Sequence, residues 1–224
     1  YDVEAVDAIL DRRSIREYDE SKSISSEEIE ELLKAGLSHP LTVDAPYIKL
    51  VAISDTQKLK MIADTARIII KQSHVQQVPL IIAAAFDCSN NAAAFYGEYD
   101  TGAILQNIIL RAHTMGIGSC WIGGFSRGKV RKSLNIEDNW HVPSIVILGR
   151  PAKYPKPTPR ADLGKIAFHD EWGDGIKKRH RTLLPDLHVL SIALRKIKKT
   201  RVKTPLRSRK VGEPKGIPEF EELM

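Results

Sequence analysis

Two cysteines in 224 residues, Cys88 and Cys120, are too few for a disulfide framework. Both fall in apolar, strand-like runs, which predicts reduced core residues of a cytosolic protein. No Cys or His cluster has ligand spacing, so no metal site is expected. No apolar run approaches the roughly 18 residues that a membrane-spanning helix needs. The N-terminus carries acids and no apolar h-region, so no signal peptide is expected, and the predicted localisation is cytoplasmic. His39, His74 and His113 have no obvious Asp or Cys partner, which leaves no catalytic triad to read.

A charge excess is also missing from most of the chain, despite a formal net charge of +6. Residues 1–176 hold 20 Lys+Arg against 23 Asp+Glu, whereas residues 177–224 hold 14 against 5. The body is mildly acidic and the basicity lives in the tail, so any argument for nucleic acid is an argument about the tail.

What is present is organised around Tyr99 to Phe125. Ile104, Leu105, Ile108, Ile109, Ala112 and Met115 recur at helical spacing on more than one face, which predicts a helix in the core or at a subunit interface. Gly116 and Gly118 are expected to end it. A short apolar run, Cys120 to Ile122, then delivers the chain into Gly123-Gly124-Phe125. Two adjacent glycines let a backbone approach something flat or bulky, because no Cβ intervenes; a plain glycine turn after a buried helix is the structural alternative.

Ahead of this block, Val3, Val6, Ile9 and Leu10 make one helical face that runs into Asp11-Arg12-Arg13-Ser14-Ile15-Arg16. Guanidinium groups grip phosphate in a bidentate fork and a serine hydroxyl adds a donor. The same cations would equally complement a helix C-terminus. Ser25 and Glu28 are spaced as a capping box, and Ile29, Leu32, Leu33 and Leu37 supply the stripe behind it, ending at Ser38-His39-Pro40. Strands are predicted over 47–53, 78–86 and 142–148, and helices over 56–71 and 127–134, the latter capped by Ser126. Residues 90–94 read as a connection to the central helix. The alternation of helices and strands is an α+β or mixed α/β layout. Prolines at 151, 155, 157 and 159, interleaved with Lys153, Lys156 and Arg160, make an extended surface segment.

Together these pieces resemble the nitroreductase family of flavoproteins. The likeness rests on Arg12-Arg13-Ser14-Ile15-Arg16; on Asp100-Thr101-Gly102-Ala103 with Gln106-Asn107, Leu110 and Ala112; on the run Gly116 to Gly123; and on Leu148-Gly149-Arg150-Pro151 with Pro159-Arg160. The resemblance implies an α+β fold: a three-layer sandwich with a central mixed sheet flanked by helices over residues 1–172, dimeric, with residues 173–224 as a basic C-terminal extension. It implies one FMN per subunit at the dimer interface, NAD(P)H as electron donor, and a small electron-poor acceptor such as a nitroaromatic or quinone.

Carried over by position, Arg12, Ser14 and Arg160 would hold the FMN phosphate and ribityl chain, with Arg13 helping through backbone or side chain. Arg16 would sit by the flavin N1 and C2 carbonyl, where a fixed cation stabilises the negative charge of the reduced ring. Ile122, Gly123 and Gly124 would lie against the ring, so that Arg16, Gly123 and Gly124 take the catalytic positions. The reaction implied is ping-pong hydride transfer through flavin N5.

Two departures stand out. Val43 and Ala45 occupy places where the family carries Asn and Gln, removing one amide contact at the flavin edge, with Thr42 and Asp44 as polar neighbours. Thr158 stands where Lys is frequent, with Lys156 beside it. These departures keep a second reading open, a flavin-fold protein with reduced turnover that works as a binding or scaffolding module through its basic arm. The stretch 177–210 has 13 cations and one acid, Asp186, around a stripe of Leu183, Leu184, Leu187, Leu190, Leu194 and Ile197. It reads as an arm around the second subunit, as an amphipathic element for an anionic membrane or another protein, or as a mobile arm for nucleic acid; no aromatic interleaves its cations for base stacking.

Overall fold

The computed structural model describes residues 5–40, 47–66, 73–89 and 91–174. Val3, the 41–46 loop with Thr42, Val43, Asp44 and Ala45, and the basic arm lie outside the described residues. The chain divides into two compact units, with the first running to Pro157 and the second beginning at Thr158.

The first unit follows the order α1 (Ala5–Asp11), α2 (Ser26–Leu37), β1 (Ile48–Ile53), α3 (Thr56–Thr65), a 3-10 turn (Ser73–Gln77), β2 (Leu80–Asp87), α4 (Asn91–Thr114), β3 (Gly118–Ile122), α5 (Arg127–Ser133) and β4 (Trp140–Gly149). The four strands form one sheet in the order β1-β2-β4-β3, and all three pairings are antiparallel. This corrects the expected mixed sheet. Among the described residues, parallel pairing is confined to an isolated bridge from Ser14 to Ser119 at the outer edge of β3.

Strand alternation splits the core into two faces. Ile81, Ala83, Ala85, Cys120, Ile122, Ile145 and Ile147 point to one side, with Ile15, Tyr18, Ile62, Val75 and Val130. Leu80, Ile82, Ala84, Val146 and Leu148 point to the other, against Leu32 of α2 and Ile104, Leu105, Ile108, Ile109 and Ala112 of α4. The sheet is therefore the middle layer of three. β2 reads as a continuous apolar run because it is covered on both faces.

Local chemistry explains most element ends. Ser25 Oγ accepts from the Glu28 N–H at 3.2 Å while Glu28 Oε2 accepts from the Ser25 N–H at 2.9 Å, a complete capping box for α2. Asp55 caps α3 by accepting from Lys58 N–H at 2.9 Å. That helix stops at Thr65, and residues 67–72 lie outside the description.

α4 starts at Asn91, the second residue of the expected connection, because Ala92–Ala94 are strong helix formers. It ends at Gly116, whose φ of +68° is the left-handed conformation of a helix C-terminus. Gly118 does not share that role; it is the first residue of β3. α5 forms without a side-chain cap from Ser126, contrary to expectation. Cys120 is buried as predicted, but Cys88 is exposed, since β2 ends one residue earlier at Asp87. The apolar stripe of α1 also differs: Val6, Ile9 and Leu10 face outward and Ala8 is the residue that packs inward. Among the described residues no helix is long and apolar enough to cross a membrane.

The second unit is described to residue 174. It contains α6 (Leu163–Ile166), capped by Asp162, and a tilted ring pair of Phe168 and Trp172.

Candidate functional site

β3 is one of the two edge strands of the sheet, and an uncovered edge offers unpaired backbone groups. The segment after α1 takes up that edge. The Ile15 N–H donates to the Ser119 carbonyl at 2.9 Å, within the Ser14–Ser119 bridge. Farther along, Tyr18 bridges to Pro151, the Asp19 N–H donates to the Arg150 carbonyl, and the Ala152 N–H donates to the Glu17 carbonyl, the last two at 2.9 Å. Residues 14–19 are thus zipped first onto β3 and then onto the exit of β4.

Glycine makes this approach possible. A Cβ on Gly118 would stand 2.8 Å from Ile15 Cγ1 and 2.9 Å from Pro151 Cγ, closer than real carbon contacts permit. Gly118 is therefore the packing glycine of the motif. Gly123 is the opposite case. A Cβ there would have no atom of the described residues within 4 Å, and its φ is not in the positive range. Neither packing nor backbone geometry within the described chain requires glycine at 123. The residue is exposed, Gly124 after it is half-buried, and Ile122 before it is buried in the core.

Electrostatics locate the basic side chains. Burial pushes the Cys120 thiol pKa up, while Arg16, the Ser14 hydroxyl and Arg12 each pull it down. Three of the predicted site residues therefore act electrostatically on one buried thiol of β3, three positions before Gly123. Arg16 is exposed, its Nη1 reaches only the Ser14 carbonyl at 3.5 Å, and no carboxylate among the described residues pairs with it. Arg16 also acts on His74, whose pKa is pushed down first by burial and then by this guanidinium. The Nε2 of His74 is buried with no hydrogen-bond partner.

Arg13 is used differently. Its Nη1 donates to the Leu10 carbonyl at 2.6 Å and to the Arg12 carbonyl at 2.9 Å, closing the C-terminus of α1. His113, in the last turn of α4, has its pKa pushed down by burial, with Asp11 opposing and Arg12 and Arg13 adding to the shift. Arg160 is exposed and belongs to the second unit, two residues ahead of the Asp162 cap of α6. The structure thus brings Arg12, Ser14 and Arg16 together beside β3, and sets Gly123 in open space at the end of the same strand.

The sequence alone assigns no site role to Cys120, His74 or His113 and does not single out Tyr18 in this neighbourhood. The signal for Cys120 and Tyr18 was their spacing from the motif residues; for the histidines there was none, since their neighbours come from distant elements.

The arrangement can hold an anion against Arg12, Ser14 and Arg16 while leaving a flat approach to the backbone at Gly123. Comparison with known proteins supplies the family. A family model described as the nitroreductase family matches residues 9–79 and 69–150. A protein of Archaeoglobus fulgidus that bears the name NADH dehydrogenase/NAD(P)H nitroreductase is 31% identical over 156 residues, covering 66% of this chain and 86% of its own. The NADPH-flavin oxidoreductase of Vibrio harveyi is 26% identical, over 75% of this chain and 74% of its own. The solved structure of an FMN-dependent nitroreductase from Clostridium difficile R20291 shares the fold, with a TM-score of 0.66, 23% identity, and coverage of 75% of this chain and 99% of that one.

Proposed function

The chain belongs to the nitroreductase family, and from that membership we propose that it is an FMN-dependent oxidoreductase that draws electrons from NAD(P)H and passes them to a small electron-poor acceptor such as a nitroaromatic or quinone. The residues present fit a phosphorylated flavin. Arg12, Ser14 and Arg16 all act on Cys120 of β3, and among the described residues no carboxylate pairs with Arg16 and no atom comes within 4 Å of a Cβ built on Gly123. The observation that carries the reading is this pairing of an unneutralised cation with a glycine that the protein itself does not need.

In this reading Arg12 and Ser14 hold the phosphate and ribityl end. Arg16 lies beside the pyrimidine edge of the ring, and Ile122, Gly123 and Gly124 lie along the ring through their backbone. When bound, FMN supplies the two-electron relay between nicotinamide and acceptor, the chemistry that side chains lack. The chain's own share is positional and electrostatic. Arg16 provides a fixed positive charge where the reduced cofactor carries negative charge, and it needs no reorganisation to do so. Gly123 keeps the approach clear, so that donor and acceptor occupy one place in turn. Ile122 anchors that backbone in the core. The cofactor-binding body is residues 1–172, with 173–224 as an appended basic arm. The working form is a homodimer, and the outward Val6, Ile9 and Leu10 of α1 give it an apolar surface to bury.

The test begins with colour and mass: purified protein should be yellow and release a flavin with the mass of FMN. NADH or NADPH should then bleach it under anaerobic conditions. Bound FMN that neither donor bleaches would replace the enzyme by a binding module acting through the basic arm, and absence of any flavin would remove both readings.

A further inference from the structure

Ile15 sits between the two side chains that matter most at the cofactor end, Ser14 and Arg16, and both of its backbone polar groups are fixed. Its N–H belongs to the peptide plane shared with Ser14 and is held by the Ser119 carbonyl at 2.9 Å. Its carbonyl belongs to the plane shared with Arg16 and accepts from the Tyr18 hydroxyl at 2.8 Å. A peptide unit is rigid, so a hydrogen bond on each plane restricts the directions in which the neighbouring side chains can leave the backbone. The first of these bonds is ordinary edge pairing. The second is made by a phenol from inside the core.

Tyr18 has little freedom to make it otherwise. Its residue is 5% exposed and belongs to the core cluster with Ile15, Cys120 and Ile122. Its backbone is bridged to Pro151. Its ring packs against Gly149, where a Cβ would come within 2.8 Å of Tyr18 Cδ1 and 3.0 Å of Pro79 Cδ. A smaller or sliding ring would leave the Ile15 carbonyl buried without a donor, which is unfavourable.

We propose that Tyr18 is the positioning residue of the cofactor end: its buried hydroxyl, by holding the Ile15 carbonyl, sets the direction in which Arg16 is presented. This rests on the flavin reading above. Burial pushes the phenol far above its ordinary pKa, with Cys120 adding to the shift and Arg16 opposing it, so the hydroxyl is a donor at every working pH.

Tyr18→Phe keeps the ring and its packing and deletes only the donor. The test compares wild type, Tyr18→Phe, Arg16→Ala and the double variant by FMN fluorescence titration and by flavin midpoint potential. Tyr18→Phe should weaken FMN binding about tenfold, or roughly 1.4 kcal/mol, and should lower the potential toward that of Arg16→Ala. In the Arg16→Ala background the same change should leave the potential where it is, because the phenol acts through Arg16. A folded Tyr18→Phe protein with wild-type affinity and potential overturns the inference, as does an equal drop in potential with and without Arg16. The wild type supplies an independent check by NMR: the Tyr18 hydroxyl proton should exchange slowly with solvent, and fast exchange also overturns it. Failure of the wild type to bind FMN is a different result, which removes the flavin reading itself.

Discussion

Arg150 Nη2 lies 2.5 Å from Glu28 Oε1, a half-buried pair that ties the first turn of α2 to the end of β4. Arg150 Nη1 also donates to the Met115 carbonyl at 3.2 Å, so one guanidinium joins three elements beside the Tyr18–Pro151 bridge. Burial pushes the Glu28 carboxyl up, but the Ser25 N–H and Arg150 outweigh it and hold the pKa below its ordinary 4.5. A depressed pKa stabilises the fold above the unfolded value and loses that contribution as pH falls through the folded value. Glu28→Gln should therefore cost about 1 kcal/mol at pH 7, since glutamine still completes the capping box while the charge is lost. The difference from wild type should shrink below about pH 4.5. Urea melts of both proteins at pH 7 and pH 3.5 measure it, and an equal difference at both would show that the charge contributes nothing.

Gly118 and Gly123 lie five residues apart and should respond in opposite ways. Gly118→Ala forces Ile15 and Pro151 apart, so it should lower stability by about 1–3 kcal/mol and weaken FMN binding with it. Gly123→Ala meets no protein atom, so stability should stay within about 0.5 kcal/mol of wild type while reduction by NAD(P)H slows. Thermal melts paired with anaerobic reduction rates separate the two. A Gly123→Ala protein that melts early would mean that the chain itself needs this glycine.

Those two glycines also show what the sequence could and could not reveal. The capping box at Ser25 and Glu28 was legible because its partners are three residues apart, and so was the central helix, whose stripe repeats locally. The antiparallel sheet was not, since strand direction is set by the path of the chain between strands and leaves no mark on the strands themselves. Gly118 was read as a helix end because its true partners, Ile15 and Pro151, are brought up only by the fold. Around the site, resemblance drew Arg12, Ser14 and Arg16 out of a cationic run that composition alone would leave on the surface. The contribution of Tyr18 was hidden because a tyrosine in an otherwise polar turn shows no sign of where its hydroxyl goes.

The two thiols should be distinguishable by reagent. Cys88 is exposed, but desolvation of its sulfur and the Asp87 carboxylate raise its pKa, against a lowering by the His141 N–H. Native protein should therefore take up one equivalent of a thiolate-selective disulfide reagent slowly at pH 7, and faster as pH rises past the ordinary 9.0. Cys120 is buried and should react only on unfolding. Two fast equivalents in native protein would mean that the covering segment of residues 14–18 opens readily from β3.

Arg16 carries the sharpest consequence of the flavin reading. The side chain is exposed and makes no ion pair among the described residues, so Arg16→Ala should leave stability within about 0.5 kcal/mol of wild type. Its expected effects are instead electrostatic. Loss of a fixed cation beside the reduced ring should lower the midpoint potential and slow reduction by NAD(P)H about tenfold, and Arg16→Lys should recover part of both. Removing the guanidinium should also raise the Cys120 pKa further and lift that of His74 toward its ordinary 6.5, because Arg16 pushes the first down and the second down as well. The His74 shift can be followed by NMR in protein without flavin, which tests the placement of Arg16 independently of any redox measurement. An unmoved His74 together with an unchanged potential would take Arg16 out of the site altogether.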